Sequence, residues 1–280
     1  MFHFLCKRRQ YIFTAVLFHN HLTLVRILAV IVLLHCSFAC SATKSGPAVE
    51  GIPRSERAGL AILNFKNTTA TDWATKFQPW EYGLAAMLTT DLEEIGIFNI
   101  VDRERLKDIL SEQSLQYSGL VDQKTAVRLG KLVASQYILT GSFSEMNGEL
   151  TIVTQIFSVE KGVQLGATSI AGETKDFFTL EKKLFVKIIG FLEVMLSEDE
   201  KAKIVKAVET QSVDASLKNY SGEIAMAKAA ELKRIGKKDD AVRLLQEAKE
   251  RFSEALVYDP KYQRAKKNLA MLTMAIPLTL

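Results

Sequence analysis

The chain has 280 residues, 48% of them hydrophobic, with a formal net charge of +4 and a pI near 8.8. That length and apolar fraction suit one sizeable core plus a smaller module. The positive excess is small and no Lys/Arg stripe interleaved with aromatics is present, so nucleic acid is not an expected partner.

All four histidines (His3, His19, His21, His35) and all three cysteines (Cys6, Cys36, Cys40) lie at the start of the chain. Two apolar runs fill that stretch, Tyr11 to Phe18 and Leu22 to Ala39, separated by His19-Asn20-His21. Read from Met1 the polar triplet interrupts a signal peptide; read from about Leu22 the signal is ordinary. Arg26 then supplies the positive end, Ile27 to Leu34 the apolar core and Ser37-Phe38-Ala39 the small-residue end. Residues 1–40 are therefore expected to be a signal peptide whose true start lies near residue 22. Three fates remain open at its end: lipidation of Cys40, cleavage near Ser41 or Ala42, or retention as a single span. Cys40 follows the small Ala39 and is preferred to Cys36, which follows the bulky His35. Residues 41–57, rich in Ser, Gly, Pro and charge, read as a flexible tether. Without residues 1–40 the chain has no imidazole base, thiolate nucleophile or Cys/His metal site. Neither an enzyme nor a cofactor is expected.

Gly59 to Phe65 is a short, nearly continuous apolar run, the pattern of a buried strand. An aromatic loop follows, and its Trp73 and Phe77, with Trp80 just beyond, are the candidates for partner binding; Trp80 is equally expected to pack on the sheet. Pro79 suits the first turn of a helix in which Leu84, Leu88, Leu92 and Ile95 form one stripe and Gly96 ends it. Asp91, Glu93 and Glu94 on that helix read as solvated. Ile97 to Val101 is a second strand. Asp102 and Asp122 are expected to cap two further helices, because their carboxylates can accept from first-turn amides. Strands over Tyr137 to Phe143, Leu150 to Phe157 and Val163 to Thr168 follow, the first two joined by a tight Asn147-Gly148 turn. A helix from Thr179 to Leu196 closes the domain. Strand, helix, strand, two helices, three strands and helix make an α/β domain over residues 58–197, a sheet covered by helices.

The passage from Ile100 to Phe143, with Val101-Asp102-Arg103, Leu106, Ile109, Leu110, Ser111-Glu112-Gln113-Ser114-Leu115, Arg128-Leu129-Gly130 and Leu139-Thr140-Gly141-Ser142-Phe143, resembles the CsgG superfamily. It is also similar to the amino-terminal domain of TolB and to the small lipoproteins LpoB and FlgO. The resemblance implies a non-enzymatic protein of a Gram-negative envelope, periplasmic and anchored to the outer membrane through lipidated Cys40. Its implied partners are other envelope proteins, with a homo-oligomer possible. Its implied work is scaffolding or regulating an assembly such as curli-like export or peptidoglycan synthesis. The alternative implied by the same family is an oligomeric secretion channel for curli-type subunits. Membrane-spanning hairpins need about nine to eleven alternating residues per strand. Here Met146-Asn147-Gly148 is a tight turn and Gly172 to Phe178 is short and polar, which argues against that alternative.

Ser197 and Glu200 have the spacing of a capping box, opening a helical linker over residues 198–218. Residues 219–275 resemble a tetratricopeptide-repeat hairpin, with Gly236, Ala241, Ala255 and Pro260 as its signature. Gly236 and Pro260 stand 24 residues apart, about seven more than the usual repeat. Seven extra residues add about two helical turns, so the apolar stripe of Val242, Leu245, Phe252 and Leu256 stays in phase. A lone repeat buries too little by itself, so this hairpin is expected to pack on the α/β domain or on a partner.

Overall fold

The apolar run after the tether forms the central strand β1 (Ala58–Ile62). The computed structural model describes residues 56–70, 73–112 and 119–275, all within one unit spanning Val49–Leu280. The expected signal peptide, Cys40 and most of the tether lie outside the described residues. After β1 come β2 (Lys66–Asn67), the single turn α1 (Ala74–Phe77), α2 (Pro79–Ile95), β3 (Phe98–Ile100), α3 (Arg103–Glu112) and α4 (Gln123–Leu132). Strands β4 (Tyr137–Met146), β5 (Glu149–Ser158) and β6 (Val163–Glu173) follow, then α5 (Phe177–Phe191) and the helices α6 (Glu198–Lys206), α7 (Val213–Arg234), α8 (Lys238–Tyr258) and α9 (Gln263–Ala275).

The strands form one mixed sheet in the order β3-β1-β4-β5-β6, with β2 also beside β4. Strand β1 pairs in parallel with β3 (Leu60 opposite Ile100) and with β4 (Leu60 opposite Tyr137). Parallel neighbours require crossovers, and helices supply them: α2 leads from β1 to β3, and α3 with α4 leads from β3 to β4. Antiparallel β4, β5 and β6 need only turns, and Asn147 (φ 53°) with Gly148 (φ 84°) makes the first of these. The α/β architecture expected from the sequence is thus the one observed.

Two apolar layers cover the sheet. Leu84, Leu88 and Leu92 of α2 and Leu184, Phe185 and Ile188 of α5 pack on one face with Leu60, Leu139, Ile152 and Ile156. Leu106 and Leu110 of α3 with Ala126 and Leu129 of α4 pack on the other, against Ala61, Ile138 and Phe157. The helix ends are closed as expected: Asp102 Oδ1 accepts from Arg105 N at 2.9 Å, Asp122 Oδ1 from Thr125 N at 3.0 Å, and Gly96 is left-handed at φ 73°.

Some bounds differ from the expected ones. Strand β6 runs five residues beyond Thr168, because an edge strand of Ser, Ala and Gly has no apolar alternation to announce it. Helix α5 stops at Phe191, where Leu192 N turns back to Ile188 O and Ile189 O, and Met195 is 95% exposed instead of completing a stripe. Helix α7 starts at Val213, inside the stretch expected to be linker, with Ser212 Oγ accepting from Ala215 N at 3.1 Å.

Candidate interaction surface

The structure stacks the three aromatic candidates in a row, Trp73 on Phe77 and Phe77 on Trp80, but leaves them with very different exposure. Trp80 is fully buried; its indole stacks on Phe177 at 3.8 Å between centroids with 2° between planes, and its Nε1 donates to Ser216 Oγ of α7 at 3.0 Å. Phe77 is buried beside it, 4.8 Å from the Trp80 ring. Both join the core, where a partner has no access to them. Trp73 alone stays at the surface, 55% exposed, with the Lys76 ammonium 5.2 Å from its ring. Cys40 lies outside the described residues. The repeat-signature residues sit in the helical module: Gly236 (φ 81°) turns α7 into α8, Ala241 and Ala255 are buried on α8, and Pro260 lies in the turn before α9.

That module docks on the α/β domain. A Cβ on Gly83 of α2 would lie 2.4 Å from the Tyr220 ring of α7, so only glycine lets these helices approach so closely. Tyr220 and Leu217 complete the core layer on the α2 face of the sheet. Arg264 of α9 reaches across to Thr90 Oγ1 of α2 at 3.4 Å, and a polar network behind the seam braces the module itself. Arg264 of α9 donates to Glu223 of α7 at 2.8 Å and to Glu209, in the segment before α7, at 3.1 Å. Asn268 donates to both Asn219 and Glu223. Burial works against the Arg264 charge, but Tyr220, Glu223 and Glu209 outweigh it and hold the guanidinium firmly protonated. Farther along, α7 pairs with α3 through Lys107–Glu231 and Asp108–Arg234.

Under the same seam lies a charged cluster. Lys182 of α5, 4% exposed, donates to both Asp91 oxygens at 2.6 and 2.7 Å and stands 3.4 Å from Glu181 Oε2. Asp91 is therefore engaged rather than solvated. Glu181 is fully buried and neither of its oxygens makes a hydrogen bond. Burial, aided by the Asp91 charge and opposed by Lys182, pushes its carboxyl well above the usual range. The Asp91–Lys182 contact links α2 to α5, and the cluster opens onto no described cavity, so it is read as part of the frame.

A concave feature among the described residues lies on the opposite face of the sheet. Lys124, Val127, Arg128, Lys131 and Leu132 of α4 line an open groove of about 610 Å³, with Gln123, whose Nε2 donates to the Gly162 carbonyl, also at its edge. Sequence and local physics place these groups together. Ala126, Leu129 and Gly130 are buried, and a Cβ on Gly130 would lie 2.1 Å from Val159, so α4 sits hard on the β5–β6 connection. The opposite stripe of the helix must then face water, and it carries three cations and no acid. Leu132, 37% exposed, and Val163 at the start of β6, 41% exposed, leave apolar surface open at this end of the sheet.

Residues 48–150 match the family model of the curli production assembly/transport component CsgG. The CsgG-type match runs from before β1 to the start of β5 and takes in α4, leaving α5 and the helical module outside it. No curated protein matches the chain. Among solved structures, the LpoB C-terminal domain from Escherichia coli is 17% identical, over 46% of this chain and 93% of its own, with a TM-score of 0.34. Lipoprotein GNA1162 from Neisseria meningitidis is 11% identical, over 50% of this chain and 99% of its own, with a TM-score of 0.34. TolB from Acinetobacter baumannii is 12% identical, over 51% of this chain and 30% of its own, with a TM-score of 0.35. Within the CsgG-like domain the groove cations are the residues that sequence reasoning missed. Their signal was there: Lys124, Arg128 and Lys131 recur at i, i+4 and i+7 on a helix without Asp or Glu.

Proposed function

We propose that this chain is a non-enzymatic protein of the Gram-negative cell envelope that binds protein partners, and so scaffolds or regulates an envelope assembly. The CsgG-type match over residues 48–150 carries this reading. Supporting it, the α4 groove and the exposed Trp73 present surface for a partner. In this reading Cys40 is acylated and residues 41–57 tether the domain on the periplasmic side of the outer membrane. Self-association belongs to the same proposal, and nucleic acid does not.

The test is expression of the native gene with labelled palmitate, beside Cys40→Ala, followed by membrane fractionation. Label in the outer membrane that disappears in the alanine variant is the expected result. An unprocessed chain recovered in the cytoplasm would sink the envelope reading. A second reading, a subunit of an oligomeric secretion channel, rests on the transport role in the family's description. It requires a ring-sized assembly in detergent extracts, and a monomeric extract would dismiss it.

A further inference from the structure

We infer that the α4 groove is a docking site for an acidic segment of a protein partner, one that lays carboxylates against Lys124, Arg128 and Lys131 and apolar side chains beside Val127 and Leu132. The inference rests on the partner-binding reading above and adds the chemistry of the partner. Surface cations without an ion pair are common on this molecule, so charge alone decides nothing. Three further observations set these apart.

The first is shape. The cations rim an open, shallow concavity of about 610 Å³ whose wall includes Val127 and Leu132, apolar lining with a few charged groups of the kind that recognition sites combine. A row of side chains from a protein partner can lie along this open concavity, its carboxylates beside the cations and its apolar groups beside Val127 and Leu132. The second is placement against local stability. Lys124 stands in the first turn of α4, where the helix dipole opposes a cation and favours an acid. Asp122, the nearby acid, is already engaged, its carboxylate accepting from Thr125 N at 3.0 Å and from Thr125 Oγ1 at 2.6 Å. The third is spacing. Lys124 to Lys131 is seven residues, about 10 Å along the axis, which two turns of an acidic helix match with Glu at i, i+4 and i+7. Such a partner also offers apolar residues between its carboxylates.

The probe is a fluorescein-labelled helical peptide of about 16 residues with Glu at i, i+4 and i+7 and Leu between them, titrated into the full chain. Its Gln-for-Glu counterpart and phosphatidylglycerol vesicles are titrated in parallel. We expect saturable binding of the Glu peptide that weakens with added salt. Dissociation constants should rise about tenfold or more in the Lys124→Gln/Arg128→Gln/Lys131→Gln triple variant. A control triple, Lys249→Gln/Lys261→Gln/Lys267→Gln on the helical module, should bind like wild type. All six side chains are exposed, and thermal melts confirm that both triples remain folded. Equal binding by the two triples overturns the inference. So does binding of vesicles, but not peptide, through the α4 cations. Fractionation of the Cys40 pair addresses location and not the groove. A failed peptide titration with outer-membrane label therefore removes the groove and leaves the envelope reading, and the converse result does the reverse.

Discussion

Glu181 is the residue whose environment departs furthest from what its type would suggest. Its carboxylate has no exposure and no hydrogen bond, and the nearby ammonium of Lys182 is already shared with Asp91. Burial therefore keeps the folded-state carboxyl protonated at a pH where the unfolded chain has released its proton. The folded state binds the extra proton, so the stability it contributes is complete below the unfolded carboxyl pKa, about 4.3. That stability is lost as pH rises through the raised folded value. Glu181→Gln fixes the neutral form at similar volume. In thermal melts it should leave stability nearly unchanged at pH 4 and raise it at pH 8. An equal change at both pH values would show that Glu181 is not titrating over this range. Nothing in the sequence around Lys182 announces this cluster. Asp91 lies 91 positions away on another helix, and only the packing of α2 on α5 brings the charges together.

Among the elements, α2 is the hinge of the architecture, since it packs on the sheet with one face and receives α7 with another. Gly83 and Gly190 make a test of that contact. Replacing a helix-interior glycine by alanine is worth up to about 1 kcal/mol of stability where there is room. Gly190 on α5 has nothing within 4 Å of an added Cβ, whereas at Gly83 the rigid, fully buried Tyr220 ring lies at 2.4 Å. Gly190→Ala should therefore stabilise the protein slightly, while Gly83→Ala should destabilise it by about 1–3 kcal/mol, overpacking outweighing propensity. Urea melts of both variants check the opposite signs. The apolar stripe of α2, its proline start and its glycine end were readable in the sequence, because those devices act within a few residues. That Gly83 admits an aromatic ring from 137 residues further along was not.

For the whole molecule, the consequence is that α/β domain and helical module are not independent. Leu217 and Tyr220 of α7 belong to the same apolar layer as Trp80, Leu84 and Phe177, and hydrogen bonds from Trp80 to Ser216 and from Arg264 to Thr90 of α2 cross the same seam. Calorimetry of the full chain should show one cooperative transition, with calorimetric and van't Hoff enthalpies in agreement. Two separable transitions would mean that the seam is weaker than its burial implies. Between the two fates open to a lone repeat-like hairpin, docking on its own domain or on a partner, the structure shows the first.

The sequence by itself determined the class and order of the longer elements, because alternation, helical stripes, Asp caps and Asn-Gly turns act over a few residues; the short β2 and α1, in a stretch that reads as a loop, it did not announce. The same locality let the Ile100–Phe143 passage carry the family resemblance. It also determined that every His and Cys lies in the first forty residues. Only the tertiary structure decided that Trp80 and Phe77 are core and not contact surface, that Asp91 is paired, and that three cations of α4 rim a groove. Each of those outcomes turns on which surface of an element another element covers. Burial is a property of pairs distant in the chain, and no local pattern encodes it.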